Sequence, residues 1–178
     1  MTNICVIGGN GFVGTNLLNR LDNNNKINEI YCGDLHQGTS KKYLEIDVTN
    51  LSTFECILDL DISVLINLAA VHRDDVKPIS KYDDVNVRGA ENVCNAARKN
   101  NINTIIFTSS VAIYGFAPPG TNENGEPNYF NNYGSRLYAI VKNTKNIKIN
   151  FTEAKRLGAE YVISKYSLDN QSLIPICE

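Results

Sequence analysis

Ile4-Cys-Val-Ile-Gly-Gly-Asn-Gly-Phe-Val-Gly14 sets the architecture of this chain. Ile4, Val6 and Ile7 form a short β-branched run, apolar on both faces and too short for a helix, which predicts a buried strand. Glycines follow at 8, 9, 11 and 14, and Phe12, Val13, Leu17, Leu18 and Leu21 then recur with helical spacing. In a strand–turn–helix unit such glycines have separate jobs. One permits the tight turn, another lets backbone N–H groups approach a pyrophosphate, and the last lets helix pack on strand. The helix N-terminus then turns its partial positive charge toward the phosphates. Both Gly9-x-Gly11-x-x-Gly14 and Gly8-x-x-Gly11-x-x-Gly14 satisfy this dinucleotide pattern. A P-loop is excluded, because no Gly-Lys-Ser/Thr follows.

Outward from that turn, Asn23-Asn24-Asn25 marks the end of the first helix. The second strand, Ile30-Tyr31-Cys32-Gly33, ends at Asp34, twenty positions beyond Gly14. An acid at that tip can accept both hydroxyls of an adenosine ribose and repels a 2′-phosphate, which favours NAD over NADP. Lys41 and Lys42 keep NADP open. Tyr43–Ile46 reads as a third strand leading to Asp47-Val48. The Asp47 carboxylate there either accepts the exocyclic amino group of adenine or N-caps a helix around Leu51–Leu58.

The fourth strand, Val64–Leu68, runs into Ala69-Ala70, whose small side chains let a cofactor approach the backbone. The polar loop His72-Arg73-Asp74-Asp75 either faces the site or, the preferred reading, is simply solvated. A long helix is expected from about Asp83 to Asn100, striped by Val85, Val87, Ala90, Val93, Cys94 and Ala97. Asn86 on it either reaches the cofactor side of the sheet or is a surface amide. The fifth strand, Thr104–Thr108, ends at Ser109-Ser110. This alternation predicts an α/β fold, a Rossmann-type doubly wound parallel sheet with helices on both faces. The Pro-, Gly- and Asn-rich stretch Ala117–Asn132 reads as a long loop over the sheet edge, a usual place for substrate contacts.

The 178 residues are enough for one domain with a real core. A net charge of −2 makes no electrostatic case for nucleic acid. No apolar run approaches the roughly 18 residues of a membrane span, and the short N-terminal apolar run is not a signal peptide. Five cysteines without a CxxC pair read as reduced thiols, which points to the cytoplasm. Two histidines argue against a histidine-built metal site.

Several of these segments together carry a family resemblance. Gly8-Gly-Asn-Gly-Phe-Val-Gly14, Asp34, Asp47-Val48, Asn67-Leu-Ala-Ala70, Asn86-Val-Arg-Gly-Ala-Glu-Asn92 and Ser109-Ser-Val-Ala-Ile-Tyr-Gly115 resemble the NAD-dependent epimerase/dehydratase family, the extended short-chain dehydrogenases/reductases. The resemblance covers roughly residues 1–134. It implies NAD(P) on a Rossmann sheet and a nucleotide-sugar substrate that is epimerised, dehydrated or reduced. It also implies a homodimer paired through helices flanking the site, a serine at the end of strand five, and a Tyr-x-x-x-Lys pair on the next helix. A phenol with a pKa of about 10 is a poor base at neutral pH until a nearby cation stabilises its phenolate. A lysine four positions on lies on the same helix face and can do so.

Ser109 matches the serine. For the tyrosine two positions compete. Phe130-Asn-Asn-Tyr133-Gly134-Ser135-Arg136 has the motif's wording, but Leu137 stands where its lysine is expected. Tyr138-Ala-Ile-Val-Lys142 has the complete spacing. A third pair, Tyr161 and Lys165, lies on a predicted strand and reads as chance. Family members usually continue for well over a hundred further residues with a substrate domain. The expected division is therefore a cofactor domain at 1–134 and a divergent segment at 135–178 packed on it, from a truncated or divergent member. Two functions follow: an NAD-dependent nucleotide-sugar epimerase, dehydratase or reductase, or a catalytically silent NAD-binding module. A Rossmann protein for a different nucleotide is a distant third.

Overall fold

The computed structural model describes residues 2–40, 42–73, 75–108, 114–121, 126 and 128, and the backbone of strands 163–166 and 173–176. The sheet is built on β1 (Thr2–Ile7), which lies between β2 (Ile27–Asp34) and β4 (Val64–Asn67) and runs parallel to both. Adding β3 (Tyr43–Glu45) outside β2 and β5 (Thr104–Phe107) outside β4 gives five parallel strands in the order β3-β2-β1-β4-β5. The chain works outward from β1 to β3, then returns to the other side of β1. The point where the order reverses lies between β1 and β4, and there the carboxyl ends of an open α/β sheet form a crevice. Register sets Ile7 against Gly33 on one side and Asn67 on the other, so the segments after these strands emerge together.

The predicted Rossmann-type sheet is the observed one. Two strands extend it: β6 (Ile163–Tyr166) and β7 (Leu173–Ile176) join antiparallel beyond β5. Pro175 sits in the edge strand β7, where a missing N–H is tolerated. Of the strand expected from Tyr161, Ile163 and Ser164 lie in β6 together with Lys165; Tyr161 lies outside the described residues.

Successive β1 side chains feed opposite faces of the sheet. Ile4 and Val6 meet Leu17 and Leu21 of α1 (Phe12–Leu21) together with Val64, Ile66 and Ile106. Cys5 and Ile7 join the larger core on the other face, with Phe54, Leu65, Val93, Ala97 and Phe107.

The helix expected near Leu51–Leu58 is a 3-10 helix, Leu51–Ile57. Its three-residue turn stacks Phe54 over Ile57, and both are buried. Its N-cap is Asn50, whose side chain accepts from Ser52 N–H. Asp47 therefore does not cap it; its carboxylate closes a local turn on Thr49 N–H and Oγ1, at 2.8 and 2.7 Å. The long helix starts slightly earlier than expected and changes pitch. α2 (Ser80–Tyr82) continues through a π-helical stretch, Asp83–Arg88, into α3 (Gly89–Lys99). No helix among the described residues is long and apolar enough to cross a membrane.

Candidate functional site

The crevice at the carboxyl ends of β1, β2 and β4 is floored by the glycine turn. Gly8 has φ of +77°, a left-handed conformation that side chains disfavour. A Cβ there would stand 2.9 Å from Ala69 N, so the turn lies directly against the segment leaving β4. Gly8 and Gly9 N–H donate to Gly33 C=O at 2.8 and 3.3 Å, and Gly11 N–H donates to Gly8 C=O at 3.2 Å. Gly14 is required for packing, because a Cβ on it would meet Gly8 O at 2.4 Å and Gly9 Cα at 2.6 Å. The turn thus takes its left-handed residue from Gly8 and its helix–strand contact from Gly14, the geometry of Gly8-x-x-Gly11-x-x-Gly14.

Helix α1 begins at Phe12 with Gly11 as its cap residue, no side-chain cap and no acid in its first turn. Its amide end therefore carries the partial positive charge of the helix without a local carboxylate against it. Phe12 is 88% exposed and Val13 38% exposed at this end, a large apolar surface left toward the crevice rim. Asp34 closes the other side. Its Oδ2 accepts from Asn10 N–H at 2.9 Å and its Oδ1 lies 3.5 Å from His36 N. An ionised carboxylate accepts about four hydrogen bonds, so two such contacts leave acceptor capacity for a diol. Tyr43 Oη donates to Asp34 C=O at 3.1 Å and so ties β3 to the same corner.

Leu68, Ala69 and Ala70 line the β4 side. Leu68 N–H donates to Ile7 C=O at 2.8 Å, and Ala69 N–H is held at 3.2 Å by Oδ1 of the buried Asn67. Val48 is buried below, and Asn92 Nδ2 of α3 donates to its carbonyl at 2.8 Å. Asn86 is not a surface amide. It is 2% exposed in the π-helical stretch. There its Oδ1 accepts from Val71 N–H at 2.7 Å and its Nδ2 donates to Val71 C=O at 2.8 Å. The wider π turn holds this amide against the loop after Ala70, replacing a neighbouring strand for Val71.

His72 and Arg73 are exposed, with Arg73 paired to Asp75, as the solvated-loop reading expects. Tyr114 packs against the larger core, and Phe116 is 75% exposed. Ser109, Tyr133, Tyr138 and Lys142 lie outside the described residues. Cys5, Cys32 and Cys94 are buried and Cys56 is exposed. Burial pushes the Cys94 thiol up to about 11, which keeps it protonated. Among the described residues no group of three His, Cys, Asp or Glu could hold a metal ion.

A left-handed glycine turn, an uncapped helix end and a carboxylate with free acceptor capacity are what a dinucleotide's pyrophosphate and adenosine ribose require. Residues 4–167 match the model of the NAD dependent epimerase/dehydratase family, and the chain belongs to that NAD-dependent family. It is 42% identical over 137 residues to the N-acetyl-alpha-D-glucosaminyl-diphospho-ditrans,octacis-undecaprenol 4-epimerase of Escherichia coli O157:H7, an alignment covering 74% of this chain and 39% of that protein. Among solved structures it is similar to the UDP-glucose 4-epimerase of Brucella ovis in complex with NAD. The TM-score is 0.71 and the identity 25%, covering 79% of this chain and 46% of the other. MoeE5 in complex with UDP-glucose and NAD superposes equally well, with a TM-score of 0.71 at 23% identity over 80% of this chain and 48% of the other. The chain thus spans less than half the length of each of these relatives.

One residue of the corner escaped the motif reading. Asn10 occupies a position that the glycine pattern leaves free, so only its contacts mark it out.

Proposed function

We propose that the chain binds NAD on the Gly8–Gly14 turn and acts as an NAD-dependent nucleotide-sugar epimerase, dehydratase or reductase. The observation that carries this reading is the pairing of the left-handed glycine turn after β1 with Asp34 at the end of β2. Gly8, Gly11 and Gly14 keep the turn clear of side chains where the pyrophosphate approaches, and the first-turn N–H groups of α1, at Phe12 and Val13, turn toward it. Asp34 accepts the ribose hydroxyls, and Asp47 and Val48 flank the adenine. Leu68, Ala69 and Ala70 run beneath the cofactor, and Asn86 keeps that segment in place through Val71. NAD, when bound, supplies the hydride acceptor.

The catalytic roles rest on the family resemblance. Ser109 holds the reacting sugar hydroxyl. The phenol of Tyr133 or Tyr138 takes and returns its proton, and Lys142 serves the second by stabilising the phenolate. Residues 1–134 form the cofactor unit in this reading. A second reading, a catalytically silent NAD-binding module, is favoured by Leu137, which stands where a lysine would complete the pair with Tyr133.

Calorimetric titration of the chain with NAD, run beside thermal unfolding, tests the binding step. Micromolar binding with a raised midpoint supports it, because a ligand bound only by the folded state stabilises that state. Absence of binding overturns it. Incubation with NAD and UDP-glucose then separates the two readings. Turnover lost in Tyr138→Phe and Lys142→Ala supports the enzyme with that pair, whereas binding without turnover leaves the silent module.

A further inference from the structure

Asn10 uses three polar groups on three different points of one corner. Its main-chain N–H donates to Asp34 Oδ2 at 2.9 Å, and its side-chain Nδ2 donates to His36 C=O at 2.5 Å. Its Oδ1 accepts from the Cys32 thiol at 3.3 Å. The orientation of the amide is fixed by its partners, because a carbonyl can only accept and must face the nitrogen. Burial and the neighbouring Asp34 charge raise the Cys32 pKa, so the thiol keeps the proton it donates.

The loop side of the contact is just as close. A Cβ on Gly38 would stand 2.3 Å from Asn10 Oδ1, so that glycine leaves the amide its room. Among the described residues of 35–42, between β2 and β3, none is helical. The amide of Asn10 therefore ties the start of this loop to the glycine turn, and the same loop brings His36 N toward Asp34 Oδ1.

We propose that Asn10 is a positioning residue for cofactor choice: its side chain holds His36–Gly38 against the glycine turn and so keeps the Asp34 carboxylate where it accepts a 2′-hydroxyl and repels a 2′-phosphate. The inference rests on the reading of this crevice as the NAD site. Its force comes from distance dependence. Repulsion between a carboxylate and a phosphate falls as they separate and as water enters, so a carboxylate free to turn away discriminates less.

The test measures Kd for NAD and for NADP by calorimetry on the full chain, its Asn10→Ala and Gly38→Ala variants, and Asp34→Ala with and without Asn10→Ala. Asn10→Ala removes one hydrogen bond to the loop and one to Cys32. It is expected to weaken NAD roughly three- to tenfold while leaving NADP within about twofold, so the preference falls. Gly38→Ala, which crowds the amide with Asn10 still present, is expected to lower the preference in the same direction. In the Asp34→Ala background, Asn10→Ala is expected to leave the NAD-to-NADP ratio unchanged, which a merely structural role would not produce. Thermal unfolding identifies a variant that does not fold, and the other variant then carries the test. An unchanged ratio in the folded variants overturns the inference, as does an equal effect of Asn10→Ala with and without Asp34. A parent chain that binds neither cofactor overturns the site reading itself, a different result from either of these.

Discussion

The two faces of the sheet are covered unequally. On one, α3 and the 3-10 helix lie over a continuous core that includes Ile46, Phe54, Leu65, Val93 and Phe107. On the other, α1 covers a smaller core around Val6, Leu17 and Ile66. Beside α1, where a loop joins β2 to β3, a groove of about 350 Å3 remains, bordered by Asn19, Asn28, Thr39, Ser40 and Lys42. The thick face is held by apolar burial, which is non-directional and additive. The thin face is held at the crevice by directional contacts such as those of Asn10 and Asp34. Stability therefore belongs mainly to the first and ligand geometry to the second, and the two should be separable by substitution.

The largest effect is expected on the thick face. Phe54→Ala removes a side chain only 2% exposed and should cost about 3–5 kcal/mol, read as a lower unfolding midpoint. The NAD affinity of the folded fraction should not change; a parallel loss of affinity would break the comparison. Gly14→Val tests the thin face. Its Cβ meets Gly8 O at 2.4 Å, so the turn must move. NAD binding should disappear, with destabilisation of about 1–3 kcal/mol. Retained binding would mean that the turn does not form the site.

Asn86 ties the helix over the thick face to the loop after Ala70. Asn86→Ala leaves Val71 N–H and C=O without their side-chain partner and should cost about 1–3 kcal/mol. Asn86→Asp keeps the acceptor but buries a carboxylate whose second oxygen faces Val71 C=O, so at neutral pH it should cost at least as much as Asn86→Ala. The smallest effect concerns the thick face at high pH. The buried Cys94 thiol has its folded pKa raised from 9.0 to about 11. Its contribution is complete below pH 9, where both states are protonated. Above that the unfolded thiol ionises first, and stability falls as pH rises toward 11. Unfolding midpoints of Cys94→Ala should therefore decline less between pH 9 and 11 than those of the parent; equal slopes would remove Cys94 from the account.

The candidate site was legible in the sequence to very different depths. Gly8, Gly11, Gly14 and Asp34 could be read because a tight turn and the tip of the next strand are set by residues close together in the chain. Asp47 could be read only as two alternatives, and the competing capping role went to Asn50, three positions on. Asn86 was legible as part of a motif but not as a buried amide. Its burial depends on a π turn and on Val71, fifteen positions earlier.

The order of strands and helices, the parallel Rossmann sheet and the glycine turn at its centre are all written in the amino-acid order. Each follows from local periodicity and from φ values that glycine alone adopts readily. Long-range packing was needed to choose the 3-10 form of Leu51–Ile57, the π pitch around Asn86, the antiparallel strands beyond β5 and the clamp of Asn10 on the loop after Asp34. These depend on which polar groups meet across the sheet. A hydrogen bond between residues distant in the chain leaves no periodicity in the sequence, because its partners are chosen by where the packed elements bring them.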